Sequence, residues 1–221
     1  MIRVTPSSIG YLKECPRCLW LYFNEGVKRP RGLFPSLPSG MDEVLKSYFD
    51  EFRSRGDLPP EIKGKVIGRL YPNLTRLKIM RQNFKGLTAQ IPDFDMRLKG
   101  AIDELLVNNE GQHVIFDFKT RGYPIKVDTH KYYQDQLDLY ALLLERNGLR
   151  PADYGYLFFL HPTTYEAGKA TFTSEIVKMN VHWKNGLAIL KDVRDILKGP
   201  LPKAHTDCEY CLYRSTAAFH S

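Results

Sequence analysis

No window of the 221-residue sequence approaches the eighteen or more largely apolar residues that span a bilayer, the longest candidate being the short YGYLFFL run from Tyr154 to Leu160. No membrane-spanning helix is expected. The opening residues, MIRVTPSSIGYLKECPRC, lack a basic leader joined to an uninterrupted apolar segment, so the expected compartment is the cytoplasm. A G-x-x-x-x-G-K-S/T loop is missing as well, which removes the expectation of an ATP-driven motor. Cysteine is scarce, at four residues, too few for a disulfide-dense miniature scaffold. With 43% hydrophobic and 26% charged residues, the composition also excludes a wholly disordered chain and a collagen-like repeat. Neither an internal repeat nor a long linker divides the sequence, which reads as a single domain over residues 1–221.

Acidic residues are in the minority: 25 Asp and Glu against 32 Lys and Arg leave a net charge of +7 with His neutral. Such an excess favours polyanions but is common among proteins that never touch them. Its distribution is more pointed. From Glu61 to Gln90 the acid Glu61 stands against Lys63, Lys65, Arg69, Arg76, Lys78, Arg81 and Lys85, a candidate phosphate-facing patch that could equally be a solvated helix and loop. Lys28 to Arg31 is a second, shorter run. Aromatic residues interleave too sparsely with either run to make a base-stacking surface visible.

What is present reads as a mixed α/β chain. Ser8 to about Asn24 has helical periodicity, capped by Ser7 or Ser8 and broken near Glu14 by Pro16. Gly26 to Gly40 is a connector rich in Pro and Gly. Met41 to Phe52 places Val44, Leu45, Tyr48, Phe49 and Phe52 at helical intervals, and a basic helix is expected between Tyr71 and Phe84. Strand segments follow at Ala89 to Lys99, Ala101 to Val107 and His113 to Lys119, the last two flanking the turn signal Asn108 to Gly111. Thr129 to Glu145 reads as helix, Tyr154 to Leu160 and Ala170 to Val177 as strands, and Val181 to Gly199 as a last long helix.

In GQHVIFDFKT, the period of two puts Ile115, Asp117 and Lys119 on one face of a strand and Val114, Phe116 and Phe118 on the other. A carboxylate and an ammonium thus leave the end of a largely buried strand together. A hairpin turning at Asn109 and Glu110 pairs residues whose numbers sum to about 220, which sets Asp103 of GAIDELLV opposite the neighbourhood of Asp117. Two carboxylates so close repel unless a cation neutralises them or one is protonated. Oxygen ligands of this kind suit Mg²⁺ or Mn²⁺, and Lys119 would position a water and offset negative charge on a phosphoryl oxygen. A structural ion pair of Asp117 with Lys119 or Arg121, with Asp103 merely ending a strand, accounts for the spacing equally well.

On the helix HKYYQDQLDLYALLLE, Tyr133, Gln136, Tyr140 and Leu143 or Leu144 recur at three- and four-residue steps, so Gln136 lies on the apolar stripe one turn from Tyr140. Its amide must find partners there. Facing a metal centre these would be a phosphate, a base or the lysine, and in a plain core a strand carbonyl.

The cysteines form two C-x-x-C pairs, Cys15/Cys18 in ECPRC and Cys208/Cys211 in DCEYC. One four-thiolate site is expected in preference to two redox pairs, and either zinc or a 4Fe-4S cluster could use all four ligands. Residues 1–30 and 200–221 would then form a four-cysteine lobe whose stability depends on what it binds.

Taken in order, Gly100-Ala101-Ile102-Asp103, Asp117-Phe118-Lys119 and Gln136-Leu137-Asp138-Leu139-Tyr140, backed by CPRCLWL near the start and CEYC near the end, resemble the RecB-like branch of the PD-(D/E)XK nuclease superfamily. They are similar to CRISPR-associated RecB-type exonucleases, and the resemblance covers nearly the whole chain. It implies a restriction-endonuclease-like core, with a central mixed sheet flanked by helices and chain ends joined by the four-cysteine site. It further implies metal-dependent DNA cleavage. Asp103, Asp117 and the carbonyl of Phe118 would hold Mg²⁺ or Mn²⁺, Lys119 would assist the attacking water, and Gln136 and Tyr140 would complete the site.

Relatives usually place a helical histidine upstream as a further ligand. The corresponding region here reads LPSGMDEVL, which makes Asp42 the candidate replacement and Glu43 the reserve. An iron-sulphur cluster is common in this branch, but relatives usually divide their cysteines one and three, whereas this chain divides them two and two. Zinc therefore stands as the alternative to a 4Fe-4S cluster. The partners implied are DNA, single-stranded or frayed at its ends since no motor opens it, and other DNA-processing proteins. The alternative function is a non-catalytic DNA-binding or assembly protein built on the same scaffold, which would bind DNA in a salt-sensitive way without cutting it.

Overall fold

The protein is described here by a computed structural model covering residues 1–30, 32 and 35–217. The Gly26–Gly40 connector, the Lys28–Arg31 run and the 200–221 half of the four-cysteine lobe each extend in part outside the described residues. Along the chain run β1 (Ile2–Val4), the short helices α1 (Pro6–Ile9), α2 (Tyr11–Glu14) and α3 (Pro16–Asn24), the long α4 (Ser36–Arg55), β2 (Arg69–Leu70), α5 (Leu74–Met80), β3 (Leu87–Ile91) and β4 (Met96–Gly100). Then come β5 (Glu104–Val107), β6 (His113–Thr120), α6 (Gln134–Arg146), β7 (Pro151–Glu166), β8 (Lys169–Asn180), α7 (Trp183–Lys198) and α8 (Glu209–Ala217).

The central sheet is mixed, as expected, in the order β2-β5-β6-β7-β8. β5 and β6 pair antiparallel from Glu104 opposite Phe116 to Val107 opposite His113, the register anticipated from the turn at Asn109 and Glu110. Parallel pairing of β6 with β7 needs a crossover, and α6 provides it. A smaller sheet, β1-β4-β3, arises where one strand over Ala89 to Lys99 was expected. Pro92 starts a 3-10 turn through Phe94, and Asp95 adopts a left-handed conformation at φ 54°, so the segment folds back as two antiparallel strands.

Local signals account for most boundaries. The first helix is capped by Thr5 instead of Ser7 or Ser8: Thr5 Oγ1 accepts from the Ser8 N–H at 3.1 Å while Ser8 Oγ accepts from the Thr5 N–H at 2.8 Å. The chain breaks at Cys15, which is extended, and restarts with Pro16 at the first position of α3. α4 begins before the expected Met41 because Pro38 falls in the first turn, where its missing N–H costs nothing, and it ends at the left-handed Gly56. The basic helix is shorter than expected, spanning only Leu74–Met80.

Two apolar layers sandwich the sheet. Phe49 of α4 packs against Phe116, Phe118 and Phe158, with ring centroids 5.6, 4.9 and 6.0 Å away. On the other face, Leu105, Ile115, Leu157 and Phe159 join Leu137, Ala141 and Leu144 of α6 and Leu190 and Val193 of α7 in one buried cluster. Each large side chain so buried contributes about 1.5–3 kcal/mol relative to exposure. α6 and α7 approach closely because position 186 is Gly: a Cβ there would stand 2.8 Å from the Asp138 carbonyl oxygen. The buried Asp138 carboxylate secures the start of α7, accepting the His182 N–H at 2.7 Å. Among the described residues no helix is long and apolar enough to cross a membrane.

Candidate active site and four-cysteine centre

Asp117 and Lys119 lie near the C-terminal end of β6, opposite Leu157 and Phe159 of β7 and on the face covered by α6. The Lys119 ammonium pairs with Asp117 Oδ2 and stands 4.7 Å from the centre of the Tyr133 ring. Of the two cations weighed as partners for Asp117, the structure thus pairs Lys119 with it. Asp117 is only 1% exposed; among the described residues its Oδ1 has no hydrogen-bond partner, and Oδ2 has no contact of that kind beyond the ion pair. Burial pushes the Asp117 carboxyl up, Lys119 pulls it down and Asp103 pushes it up again, leaving it at about 7. Burial alone would lower Lys119, but Asp117 and Asp103 outweigh that and keep it protonated.

Asp103 reaches the same place from just before β5. Its Oδ2 accepts the Phe118 N–H at 3.1 Å, and its Oδ1 lies 3.3 Å from Lys46 Nζ. Lys46 sits one turn after Asp42 on α4 and pairs with it, so a lysine bridges the two aspartates. Burial and Asp103 raise the Asp42 carboxyl against the pull of Lys46. Glu43, the reserve candidate, is exposed.

From α6, Gln136 Nε2 donates to Tyr140 Oη at 3.0 Å. Tyr140 is buried, and both its burial and the charges of Asp117, Asp103 and Asp42 push its hydroxyl well above the ordinary tyrosine range. Gly100 makes room for it: a Cβ at that position would stand 2.9 Å from Tyr140 Cε1 and 2.8 Å from Leu143 Cδ1. The structure therefore brings Asp42, Asp103, Asp117, Lys119, Gln136 and Tyr140 into one neighbourhood, with Phe118 attached through its N–H.

Three features escape a reading of the sequence. Lys46 is one, since nothing in VLKSY marks it as internal. The second is a buried ion network behind Asp103. Arg81, counted in the basic stretch, turns inward: Nε donates to the Asp103 carbonyl at 2.8 Å, Nη1 to Asp50 Oδ2 at 2.8 Å and Nη2 to Glu104 Oε2 at 2.9 Å. Arg53 also pairs with the fully buried Glu104. The signal was available, since Glu104 interrupts the apolar run of IDELLV as plainly as Asp103 does.

The third feature is a pair of exposed tyrosines in the segment after β6. Beyond the end of β6, Tyr123 and Tyr132 are 78% and 85% exposed, close in sequence to Lys126 and Lys131. Lys131, Tyr132, Gln136 and Lys13 help line a cavity of about 530 Å³ against α1 and α2. β7 pairs with β6 as far as Leu160 opposite Thr120, then continues with β8 as a two-stranded ribbon that turns at Ala167 and Gly168. In the basic stretch itself Lys63 is occupied by Asp57, at 2.9 Å.

The four cysteines meet where the start of α3 faces the start of α8. Cys18 Sγ lies 3.6 Å from Cys208 and 3.7 Å from Cys211, Cys15 lies 3.8 Å from Cys211, and all four ligand atoms fall within 4.8 Å of one another. Among the described residues no other group of three or more His, Cys, Asp or Glu gathers so tightly. Burial raises the Cys15 thiol, but the backbone N–H groups of His205 and Cys18 outweigh it and bring it down to about 7.

The Asp117 shift has a consequence for stability. Its folded value of about 7 exceeds the ordinary 3.8, so between about pH 4 and pH 7 the folded chain holds more protons than the unfolded one, and stability falls as pH rises through that window. Without divalent cations, the stability difference between wild type and Asp117→Asn is expected to change across pH 4–7 and to level off above it. Urea unfolding at a series of pH values measures this, and a difference constant from pH 4 to 8 would contradict the raised carboxyl.

A family model described as the PD-(D/E)XK nuclease superfamily matches residues 36–216. Among solved structures, the crystal structure of SSO0001 is similar at 14% identity, with 96% of this chain and 84% of that chain covered and a TM-score of 0.44. No curated protein sequence matches.

Proposed function

The chain belongs to the PD-(D/E)XK nuclease superfamily, and we propose that it is a Mg²⁺- or Mn²⁺-dependent deoxyribonuclease, acting as an exonuclease on single-stranded or frayed ends. The observation that carries this reading is the convergence of Asp103, Asp117 and Lys119, with a fully buried carboxylate oxygen, Asp117 Oδ1, that no donor among the described residues reaches. Such an oxygen fits a hard divalent cation. Asp103, Asp117, the Phe118 carbonyl and Asp42 would hold it, and when bound it supplies positive charge to the phosphate and acidifies water.

The remaining chemistry belongs to the chain's own side chains. Lys119, kept protonated by two aspartates, acts as a donor: Nζ orients the oxygen of the attacking water and offsets charge growing on the phosphoryl oxygen. Tyr140 keeps its proton, and because its oxygen accepts from Gln136 its O–H remains free to donate towards the carboxylates or the phosphate. Tyr132, exposed beside Gln136 in the cavity against α1 and α2, offers a face on which a base can stack, which supports a single-stranded substrate. Residues 1–221 form one nuclease domain, with 1–30 and 200–221 as its four-cysteine lobe.

Lys46 favours a second reading. Its ammonium already neutralises Asp42 and Asp103, as a chain that binds DNA without cutting it would require. Matched 5′-labelled, 3′-labelled, circular and duplex DNA, incubated with wild type and Asp117→Ala in Mg²⁺ or Mn²⁺, separate the two. Degradation of linear single strands by wild type alone is the expected result. Salt-sensitive binding with no cleavage in either metal would overturn the nuclease reading in favour of the scaffold.

A further inference from the structure

We infer that the four cysteines hold one tetrahedral ion, Zn²⁺, and not the 4Fe-4S cluster common in the branch this chain resembles, with Arg29 compensating its charge. Four thiolates about 2.3 Å from a central Zn²⁺ stand about 3.8 Å from one another by tetrahedral geometry. The sulphur separations of 3.6, 3.7 and 3.8 Å match that spacing. A cubane cluster must fit four irons and four sulphides among its thiolates, each bound to a different iron. Sulphurs already in contact leave no room for it.

The local backbone points the same way. Cys15 and Cys18 bracket the first turn of α3, while Cys208 immediately precedes α8 and Cys211 lies in its first turn. Two C-x-x-C turns facing each other are the arrangement of zinc ribbons and related sites. The His205 N–H points at Cys15 Sγ at 3.4 Å, a contact that favours thiolate over thiol.

Four thiolates on one Zn²⁺ carry two net negative charges in a largely buried place, which requires a counter-charge. Arg29 supplies it. The guanidinium is sandwiched between the Tyr11 and Tyr210 rings, 4.4 and 4.5 Å from their centroids, with Nη2 4.0 Å from Cys208 Sγ. Glu14 pairs with it from the opposite lobe element, α2, so the cation is fixed and not merely nearby. Nothing in this geometry depends on events at Asp117.

The test is anaerobic purification of the full chain followed by zinc, iron and acid-labile sulphide analysis. About one zinc per chain without sulphide is expected, and Co²⁺ exchanged into the site should give the intense visible bands of a tetrahedral tetrathiolate. A chain that emerges without metal is reconstituted with Zn²⁺ and, separately, with iron and sulphide. Stoichiometric iron and sulphide, by either route, would overturn the single-ion assignment. For Arg29, zinc affinity measured by chelator competition should fall about 10- to 100-fold in Arg29→Ala and recover in part in Arg29→Lys. Circular dichroism checks that the zinc-loaded variants remain folded; an affinity unchanged from wild type removes Arg29 from the site.

Discussion

Mg²⁺-dependent cleavage of single-stranded DNA is expected to fall by about 10²- to 10⁴-fold on replacing Lys119 with Ala, while DNA binding persists. Lys119 is the cation paired with Asp117, and its ammonium does two separable things. It holds down the Asp117 carboxyl, which burial otherwise drives up, and under the proposed function it would also present a proton to the attacking water and the phosphate. Losing the first effect weakens metal binding near neutral pH, because Asp117 then keeps its own proton more tightly. Raising the pH and supplying Mn²⁺ should restore metal binding, measured by titration calorimetry, yet leave turnover low. Full recovery of turnover at high pH would assign Lys119 to tuning Asp117 alone and exclude it from handling the water.

Glu104→Ala should cost about 3–5 kcal/mol of folding stability. Glu104 is completely buried, and burial raises its carboxyl even though Arg53 and Arg81 pull it down. Removing it strands two nearly buried guanidiniums, whose side chains are 4% and 8% exposed. Among the described residues Asp50 is the carboxylate left to pair with both, beside the backbone carbonyls of Tyr71 and Asp103. Because Arg81 also donates to the Asp103 carbonyl, the acid proposed above as a metal ligand should lose its anchor at the same time. Urea unfolding decides the matter: a loss below about 1 kcal/mol would mean that water reaches the arginines and the network is not dry.

The hairpin of β5 and β6 and its register were legible because period-two patterning and turn chemistry act locally. Asn108 to Gly111 announces the hairpin, and the pairing of Glu104 with Phe116 follows from counting outward from it. Asp103, Asp117 and Lys119 were legible for the same reason. Asp95 was not, since its left-handed turn divides an apolar stretch that reads as one strand. Arg81 and Lys46 look like any surface cation in sequence. Their inward course is decided by acids that come from other elements: Asp50 and Glu104 for the first, Asp103 for the second. Tyr123 and Tyr132 went unremarked because they sit outside both basic runs and acquire meaning only from the strand end they flank.

The four-cysteine contact also imposes an order on biosynthesis. Cys18 leaves the ribosome 190 residues ahead of Cys208, its partner in the finished centre, so the growing polypeptide carries half a binding site with nothing to close it. Every strand of the sheet must be translated first. A metal held there, as inferred above, would close the loop between the two C-x-x-C pairs only once both have been made, so its capture would come after the sheet is translated.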